Sequence, residues 1–147
     1  MTSVAVVCLG NICRSPMAEV VLRERLDAAG LADVDLVSAG TGDWHVGERM
    51  DQRAAAALRR AGYDPDRHRA RQWRPERAGD YDLVLAMDRS NLHDLGGPTD
   101  RVRLFRDFDP EGTGNVPDPY FGEDDGFADV LAIVERTADR LVEALAQ

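Results

Sequence analysis

Five residues separate Cys8 from Arg14, and Ser15 follows the arginine directly. Between them lie Leu9, Gly10, Asn11, Ile12 and Cys13. Gly10 and Asn11 are residue types that tolerate left-handed backbone, which lets successive N–H groups point into one concavity. Arg14 adds a planar fork able to hold two phosphate oxygens at once. A sulfur at the floor of such a cradle feels the same positive field. An environment that binds a phosphate dianion therefore also stabilises a thiolate, and Cys8 becomes a nucleophile that needs no histidine base. The lysine and second glycine of G-x-x-x-x-G-K-[ST] are missing, which excludes a nucleotide P-loop. A bare C-x5-R occurs by chance in many chains, so its surroundings must decide.

Those surroundings are a strand, a loop and a helix. Residues 4–9 form a continuous apolar, β-branched run, as expected of a strand buried on both faces of a parallel sheet. Ser15 and Pro16 then read as an N-cap and the first helical position. Met17, Val20, Val21, Leu22 and Leu26 point inward, and Gly30 stops the helix. The pattern recurs, with strands at 34–37, 81–86 and 102–105 and helices at 52–61 and near 90–95. The last helix is the clearest, because Phe127, Val130, Leu131, Val134, Ala138, Leu141, Val142 and Leu145 make one apolar stripe. Alternating strands and helices predict an α/β domain with a mainly parallel sheet. Ligands bind at the carboxyl ends of strands in such sheets, which is where Cys8 falls.

Bulk properties narrow the function classes. A chain of 147 residues suits one domain, here 1–147, with a core that needs no staples. The net charge of -9 argues against nucleic acid and acidic membrane surfaces as partners, since both are polyanions. No stretch approaches the roughly 18 apolar residues needed to span a bilayer, and the first apolar run lacks a basic leader, so it reads as a strand and not a signal peptide. The two cysteines, Cys8 and Cys13, would close only a tiny disulfide loop, which points to a reduced, cytoplasmic chain. They also fall short of a zinc site, and neither metal nor cofactor is expected. A monomer is the default.

The chemistry implied by a thiolate and a bound phosphoryl group needs an acid to protonate the leaving oxygen and a base to activate water, roles one carboxyl group can fill in turn. The Pro/Gly/Asp-rich loop 109–126 offers Asp109, Glu111, Asp118, Glu123, Asp124 and Asp125. Composition alone does not choose among them, although Pro117 and Pro119 stiffen the backbone around Asp118.

The run Val7-Cys-Leu-Gly-Asn-Ile-Cys-Arg-Ser-Pro-Met-Ala-Glu19 resembles the signature of the low-molecular-weight protein tyrosine phosphatases. The likeness continues through Ser38-Ala-Gly-Thr41, Asp43-Trp-His-Val-Gly47, His68-Arg-Ala-Arg-Gln72, Met87-Asp88 with Ser90-Asn91-Leu92, and Asp118-Pro-Tyr-Phe121. It implies a four-stranded parallel sheet flanked by helices on both faces. It also implies Asp118 as the general acid, and Tyr120 and Trp44 as walls for a substrate ring, with Ile12 on the loop itself. Asn11, Ser15, Ser38 and His68 would form a network that holds the loop, with Ser15 donating toward Cys8. Cys13 is either a buried thiol or the partner of an oxidised Cys8. His45, His93 and the arginines Arg53, Arg59 and Arg60 read as surface. The family's second tyrosine after Asp-Pro is Phe121 here, which removes a phosphorylation site but not the acid.

The resemblance thus implies hydrolysis of phosphotyrosine proteins or small aryl phosphates through a phosphocysteine on Cys8. Arg14 and the 9–15 loop would bind the phosphate, and free phosphate or vanadate would inhibit. Arsenate reductases of related build need further cysteines downstream, and none follows Cys13. A silent phosphoryl-binding module could dispense with the nucleophile or the acid, yet both are present. A thiol sensor would respond to the disulfide state without releasing phosphate.

Overall fold

The computed structural model describes residues 2–123 and 125–147. Four strands form one parallel sheet: β1 (Ser3–Cys8), β2 (Asp35–Gly40), β3 (Leu83–Ala86) and β4 (Val102–Leu104), in the order β2-β1-β3-β4. The helices are α1 (Arg14–Ala28), α2 (Gln52–Arg60), α3 (Arg89–Asp94) and α4 (Asp125–Leu145). β1 lies between β2 and β3, with Val4 to Val7 buried from both faces. This explains the unbroken apolar run. The chain leaves β1 toward β2 on one side and takes up β3 on the other. The point where strand order reverses is where a crevice opens beyond the carboxyl ends.

The two faces are covered unequally. Val4, Val6 and Cys8 face the main core, which α1, α2 and α4 complete with Met17, Val21, Leu22, Leu26, Leu58 and the stripe of α4. The stripe buries as its spacing predicts, with Thr137 added and Leu145 only partly covered. Ala5, Val7 and Val84 face a smaller cluster closed by Trp73, Tyr81 and Leu95. Helices therefore lie on both faces, but on the second face only the short α3 region and the 73–81 segment do so. No helix among the described residues is long and apolar enough to cross a membrane.

Some boundaries differ from the sequence reading for identifiable reasons. β1 ends at Cys8, which pairs with Gly40, and Leu9 turns out into solvent. β2 continues to Gly40, past the expected end at 37, because Ser38 is buried by hydrogen bonding and so breaks the apolar pattern. α1 begins at Arg14 with Cys13 in the cap position and no side-chain cap, since the Ser15 hydroxyl is occupied elsewhere.

The long loop before α4 is pinned. Val116 N donates to Met87 O at 2.7 Å, and Arg89 N donates to Asn115 Oδ1 at 2.9 Å. Asp109 is buried between Arg106 at 2.8 Å and Arg136 at 2.9 Å. Burial would push its pKa up, but hydrogen bonds from Arg136, the Glu111 amide and Arg106 hold it down, to about 2. A lowered carboxylate pKa contributes stability that is present above the unfolded value and lost as pH falls through the folded one. Asp109→Asn is expected to cost about 2 kcal/mol in urea unfolding at pH 7. The wild type should lose that advantage between about pH 4 and pH 2; an unchanged midpoint would show the loop anchored by other means.

Candidate active site

Gly10 and Asn11 follow β1, and the backbone of Asn11 is left-handed, with φ 58°. Its amide turns inward and donates to Cys8 Sγ at 3.3 Å. The loop can make this turn because it lies against Gly40. A Cβ at Gly40 would stand 2.6 Å from Leu9 O and 3.0 Å from Asn11 N. Thr41 N and Gly42 N then bond to Cys8 O and Leu9 O, each at 2.9 Å, and fix the loop to the end of β2.

The side chain of Asn11 is fully buried and makes three bonds. Nδ2 donates to Ser15 Oγ at 2.9 Å and to Ser38 Oγ at 3.0 Å, while Oδ1 accepts from Arg71 N at 2.9 Å. These contacts narrow where the hydroxyl hydrogens go. Ser38 donates to Glu19 Oε1 at 2.5 Å. Ser15 Oγ accepts from Asn11 Nδ2, and its own hydrogen has two acceptors in reach, Cys8 Sγ at 2.9 Å and Ala39 O at 3.5 Å, of which the sulfur is the nearer. His68 Nε2 lies 2.7 Å from Asn11 O, which can only accept, so Nε2 carries the ring hydrogen. Burial lowers the His68 pKa, which keeps the imidazole neutral in that donor role.

Arg14, also buried, is aimed by a residue that the sequence reading quoted but assigned no role. Asp88 follows β3, and its Oδ2 accepts from Arg14 Nη1 at 2.6 Å while its Oδ1 caps α3 through Asn91 N at 2.7 Å. Val116 O takes a second bond from Nη1 at 3.1 Å. Nη2 approaches Asp118 Oδ2 at 3.5 Å. Of the loop acids, Asp118 is the one brought to Cys8 and Arg14, since both line the same cleft with it. Asp109 is a buried anchor, Glu111, Glu123 and Asp125 are exposed elsewhere, and Asp124 lies outside the described residues.

Arg53 corrects its reading as a solvated helix face. It donates to Tyr120 O at 2.8 Å and Gly122 O at 3.3 Å, and its guanidinium lies over the Phe127 ring at 4.8 Å. Asp51 caps α2 through Arg53 N at 2.8 Å and also holds the arginine side chain. The segment just after Asp118 is therefore clamped to α2.

The cleft encloses about 250 Å³. The loop residues Cys8, Leu9, Gly10, Ile12, Cys13 and Arg14 line it together with Trp44, Asp118 and Tyr120. Asn11 and Ser15 do not line it; their side chains work from behind the loop. Two wall residues were missed: Phe121, which is 94% exposed, and His45, whose ring lies 6.3 Å from that of Tyr120. Trp44 is 67% exposed and leans on Gly42, where only a hydrogen leaves room for its ring. Leu9, Trp44 and Phe121 place exposed apolar surface at one mouth, the pattern of a binding site. Burial pushes the Cys13 thiol up, with Asp51, Cys8 and Asp118 adding to the effect, so it stays protonated. Among the described residues no cluster of three or more His, Cys, Asp and Glu is placed to hold a metal.

Comparison with known proteins places this geometry. The family described as low molecular weight phosphotyrosine protein phosphatase matches residues 3–147. A low molecular weight protein-tyrosine-phosphatase of Streptomyces coelicolor is 47% identical, covering 97% of this chain and 92% of that protein. The crystal structure of a protein tyrosine phosphatase from Entamoeba histolytica, with Hepes in its active site, superposes with a TM-score of 0.93 at 32% identity. That match covers 99% of this chain and 97% of the other. Wzb of Vibrio vulnificus, in complex with benzylphosphonate, gives a TM-score of 0.85 at 25% identity over 97% and 98% of the two chains.

The close approach at Gly40 is directly testable. Gly40→Ala must displace backbone, and overpacking of this kind costs about 1–3 kcal/mol. The variant is expected to unfold at lower urea and to bind vanadate at least tenfold more weakly. Unchanged vanadate affinity would show that the loop does not depend on this contact.

Proposed function

The chain belongs to the low molecular weight phosphotyrosine protein phosphatase family, and from that premise we propose how its residues divide the hydrolysis of a phosphomonoester. Relatives of this similarity are protein-tyrosine phosphatases, and the chain is accordingly an enzyme of the phosphoric monoester hydrolase class.

In the proposed first step the Cys8 sulfur attacks phosphorus in line with the leaving phenolic oxygen. Ser15 donates to that sulfur, as does the Asn11 amide. The equatorial oxygens go to the loop amides and to the edge of Arg14 that Asp88 does not use. The first-turn amides of α1, which no side chain caps, add the positive end of a helix. A phosphate dianion takes the place of Asp118 on Arg14, and Asp118, entering the step as the protonated carboxyl group that the second step regenerates, gives its proton to the leaving phenolic oxygen. In the second step Asp118 accepts a proton from water, whose oxygen attacks phosphorus. Cys8 leaves as a thiolate, and inorganic phosphate is released. The observation that carries this reading is that Cys8, Arg14 and Asp118 face one cleft while Ser15 has its hydroxyl hydrogen available for Cys8.

Leu9, Ile12, Trp44, Tyr120 and Phe121 suit the mouth to an aryl ring. The substrates are therefore phosphotyrosine proteins and small aryl phosphates, and phosphate and vanadate act as inhibitory anions. The rarity of cysteine and the two free buried thiols favour a reducing compartment, so we place the protein in the cytoplasm. We take it to be a single-domain monomer that requires neither metal nor cofactor and binds no nucleic acid or membrane.

Hydrolysis of p-nitrophenyl phosphate in the presence of EDTA tests the mechanism. Cys8→Ser should be inactive, and full turnover would end the proposal. Asp118→Ala should slow phosphotyrosine about 10²-fold or more, and p-nitrophenyl phosphate less, because the better leaving group needs less protonation. Equal losses on both would point to another acid.

Arg53 acts through Asp118 as a positioning residue. Arg53→Ala is expected to lower kcat for a phosphotyrosine peptide about tenfold, with KM within about twofold and a smaller loss on p-nitrophenyl phosphate. In an Asp118→Ala background the same change should have little further effect, because the two act as a unit. Additive losses would indicate a purely structural role.

A further inference from the structure

The catalytic cleft continues beyond its aromatic rim. Leu9 and Trp44, part of its wall, also line a second depression of about 330 Å³ together with Gln72 and Trp73. Gln72 and Trp73 in turn line a third concavity, of about 540 Å³, over the second face of the sheet. Each depression shares wall residues with the next, a series termed the trough, which runs from the Cys8 cleft past Trp44 to residues 71–77. Its far wall is fixed to the catalytic loop. Arg71 N donates to Asn11 Oδ1 at 2.9 Å, Gly40 N to Arg71 O at 2.9 Å, and Trp73 N to Gly40 O at 2.6 Å.

The far concavity is lined by Arg71, Arg74 and Arg77 beside a Trp73–Tyr81 ring pair with centroids 5.7 Å apart. All three arginines are exposed, and none of their guanidinium groups has a hydrogen-bond or ion-pair partner among the described residues. Acidic residues are nearby: Glu76 and Asp80 share the turn with Arg77, and Asp94 lines the middle depression. None of them forms an ion pair with these arginines. Other arginines, such as Arg49, Arg60 and Arg140, also lack a carboxylate partner among the described residues, but these three line one concavity in a chain with 27 acidic residues and 18 basic ones. Arg14, Arg25, Arg53, Arg103, Arg106 and Arg136 all have carboxylate partners.

Guanidinium groups that no internal carboxylate occupies are suited to carboxylates brought by a ligand, which they bind as planar forks. We propose that the trough holds the polypeptide flanking the phosphotyrosine of a protein substrate, and that Arg71, Arg74 and Arg77 select acidic residues in that flank. This rests on the phosphatase reading of the cleft and narrows its substrate class to phosphotyrosines in acidic segments. At physiological ionic strength charges are screened over about 8 Å. A local cationic wall can therefore recognise an acidic segment despite the protein's net charge of -9.

Two phosphotyrosine peptides test the proposal, one with Asp and Glu on both flanks and one with alanine in their place. Both kcat/KM on the wild type and affinity for Cys8→Ser by fluorescence anisotropy are expected to favour the acidic peptide about three- to tenfold, as for two or three exposed ion pairs. The preference should fade with added salt, and Arg74→Glu with Arg77→Glu should remove or invert it. Equal affinities, or a preference that survives the double substitution, would overturn the proposal. So would binding to anionic phospholipid vesicles without a peptide preference, which would reassign the arginines to a lipid surface. If the wild type released phosphate from neither peptide nor from p-nitrophenyl phosphate, the phosphatase reading would fall. The anisotropy ratio would still decide the trough.

Discussion

The whole site hangs on one backbone conformation, that of Asn11. Left-handed geometry in a residue with a side chain is uncommon and carries a steric cost. It is what turns the Asn11 amide onto the Cys8 sulfur. Glycine would adopt the same φ without strain but would leave the loop free to relax. Asparagine instead carries its own restraint. Its two amide hydrogens and its carbonyl oxygen are each spent on a separate partner, Ser15, Ser38 and Arg71, and His68 holds its backbone oxygen. These partners come from α1, β2 and the segment beyond α2, so relaxing the loop would break contacts to three parts of the fold at once. A strained cradle persists only when its surroundings over-determine it.

The same network sets the chemical character of each group by geometry. Ser15 accepts from Asn11 and keeps its own hydrogen for an acceptor, Cys8 Sγ being the nearest, while burial keeps His68 neutral and the Asn11 carbonyl oxygen fixes its hydrogen on Nε2. The two cysteines also meet different partners. Cys8 meets an amide and a hydroxyl, whereas Cys13 meets burial and the carboxylates Asp51 and Asp118, which keep it a thiol. The loop aspartates diverge as well. Asp109, locked between two arginines, cannot take up a proton at working pH, while Asp118 sits exposed at the mouth with its backbone neighbours clamped by Arg53. Anchor and acid come from one acidic loop and are separated by their partners alone.

This division also explains what could be read in advance. The strand–loop–helix around Cys8 is local, and its apolar run and C-x5-R spacing lie within a few residues of one another. The stripe of α4 is equally local. Asp88 is another matter. It meets Arg14 across 74 residues of sequence, and nothing in the Met87-Asp88-Arg89 context marks it as more than a helix cap. Arg53 reaches Tyr120 across 67 residues, and on an exposed helix turn it looks like any solvated arginine. Gly40 is required by the loop that follows the neighbouring strand and lies against it, which no local pattern reveals. Ser15 misled in an instructive way. It lies two residues past the Cys13 cap position, and its oxygen, which a cap would have used to accept an amide, accepts from the Asn11 side chain instead.

An uncapped helix start is ordinarily a defect, because its first amides lack partners. At α1 the defect and the site are one arrangement. With Cys13 in the cap position and the Ser15 oxygen turned toward sulfur, the first-turn amides are left for a ligand with several acceptor oxygens. The protein carries a net charge of -9, so long-range attraction cannot bring a phosphate dianion to it. The affinity must come from short-range dipoles and from one arginine whose opposite edge Asp88 holds in place. Such a field acts only within the cleft and falls off over about a Debye length, roughly 8 Å at physiological salt. It can distinguish a phosphoryl group seated on the loop from one merely nearby. Beyond that range, discrimination between substrates must come from surfaces contiguous with the cleft, which is why the shape and charge of its margins matter as much as the nucleophile.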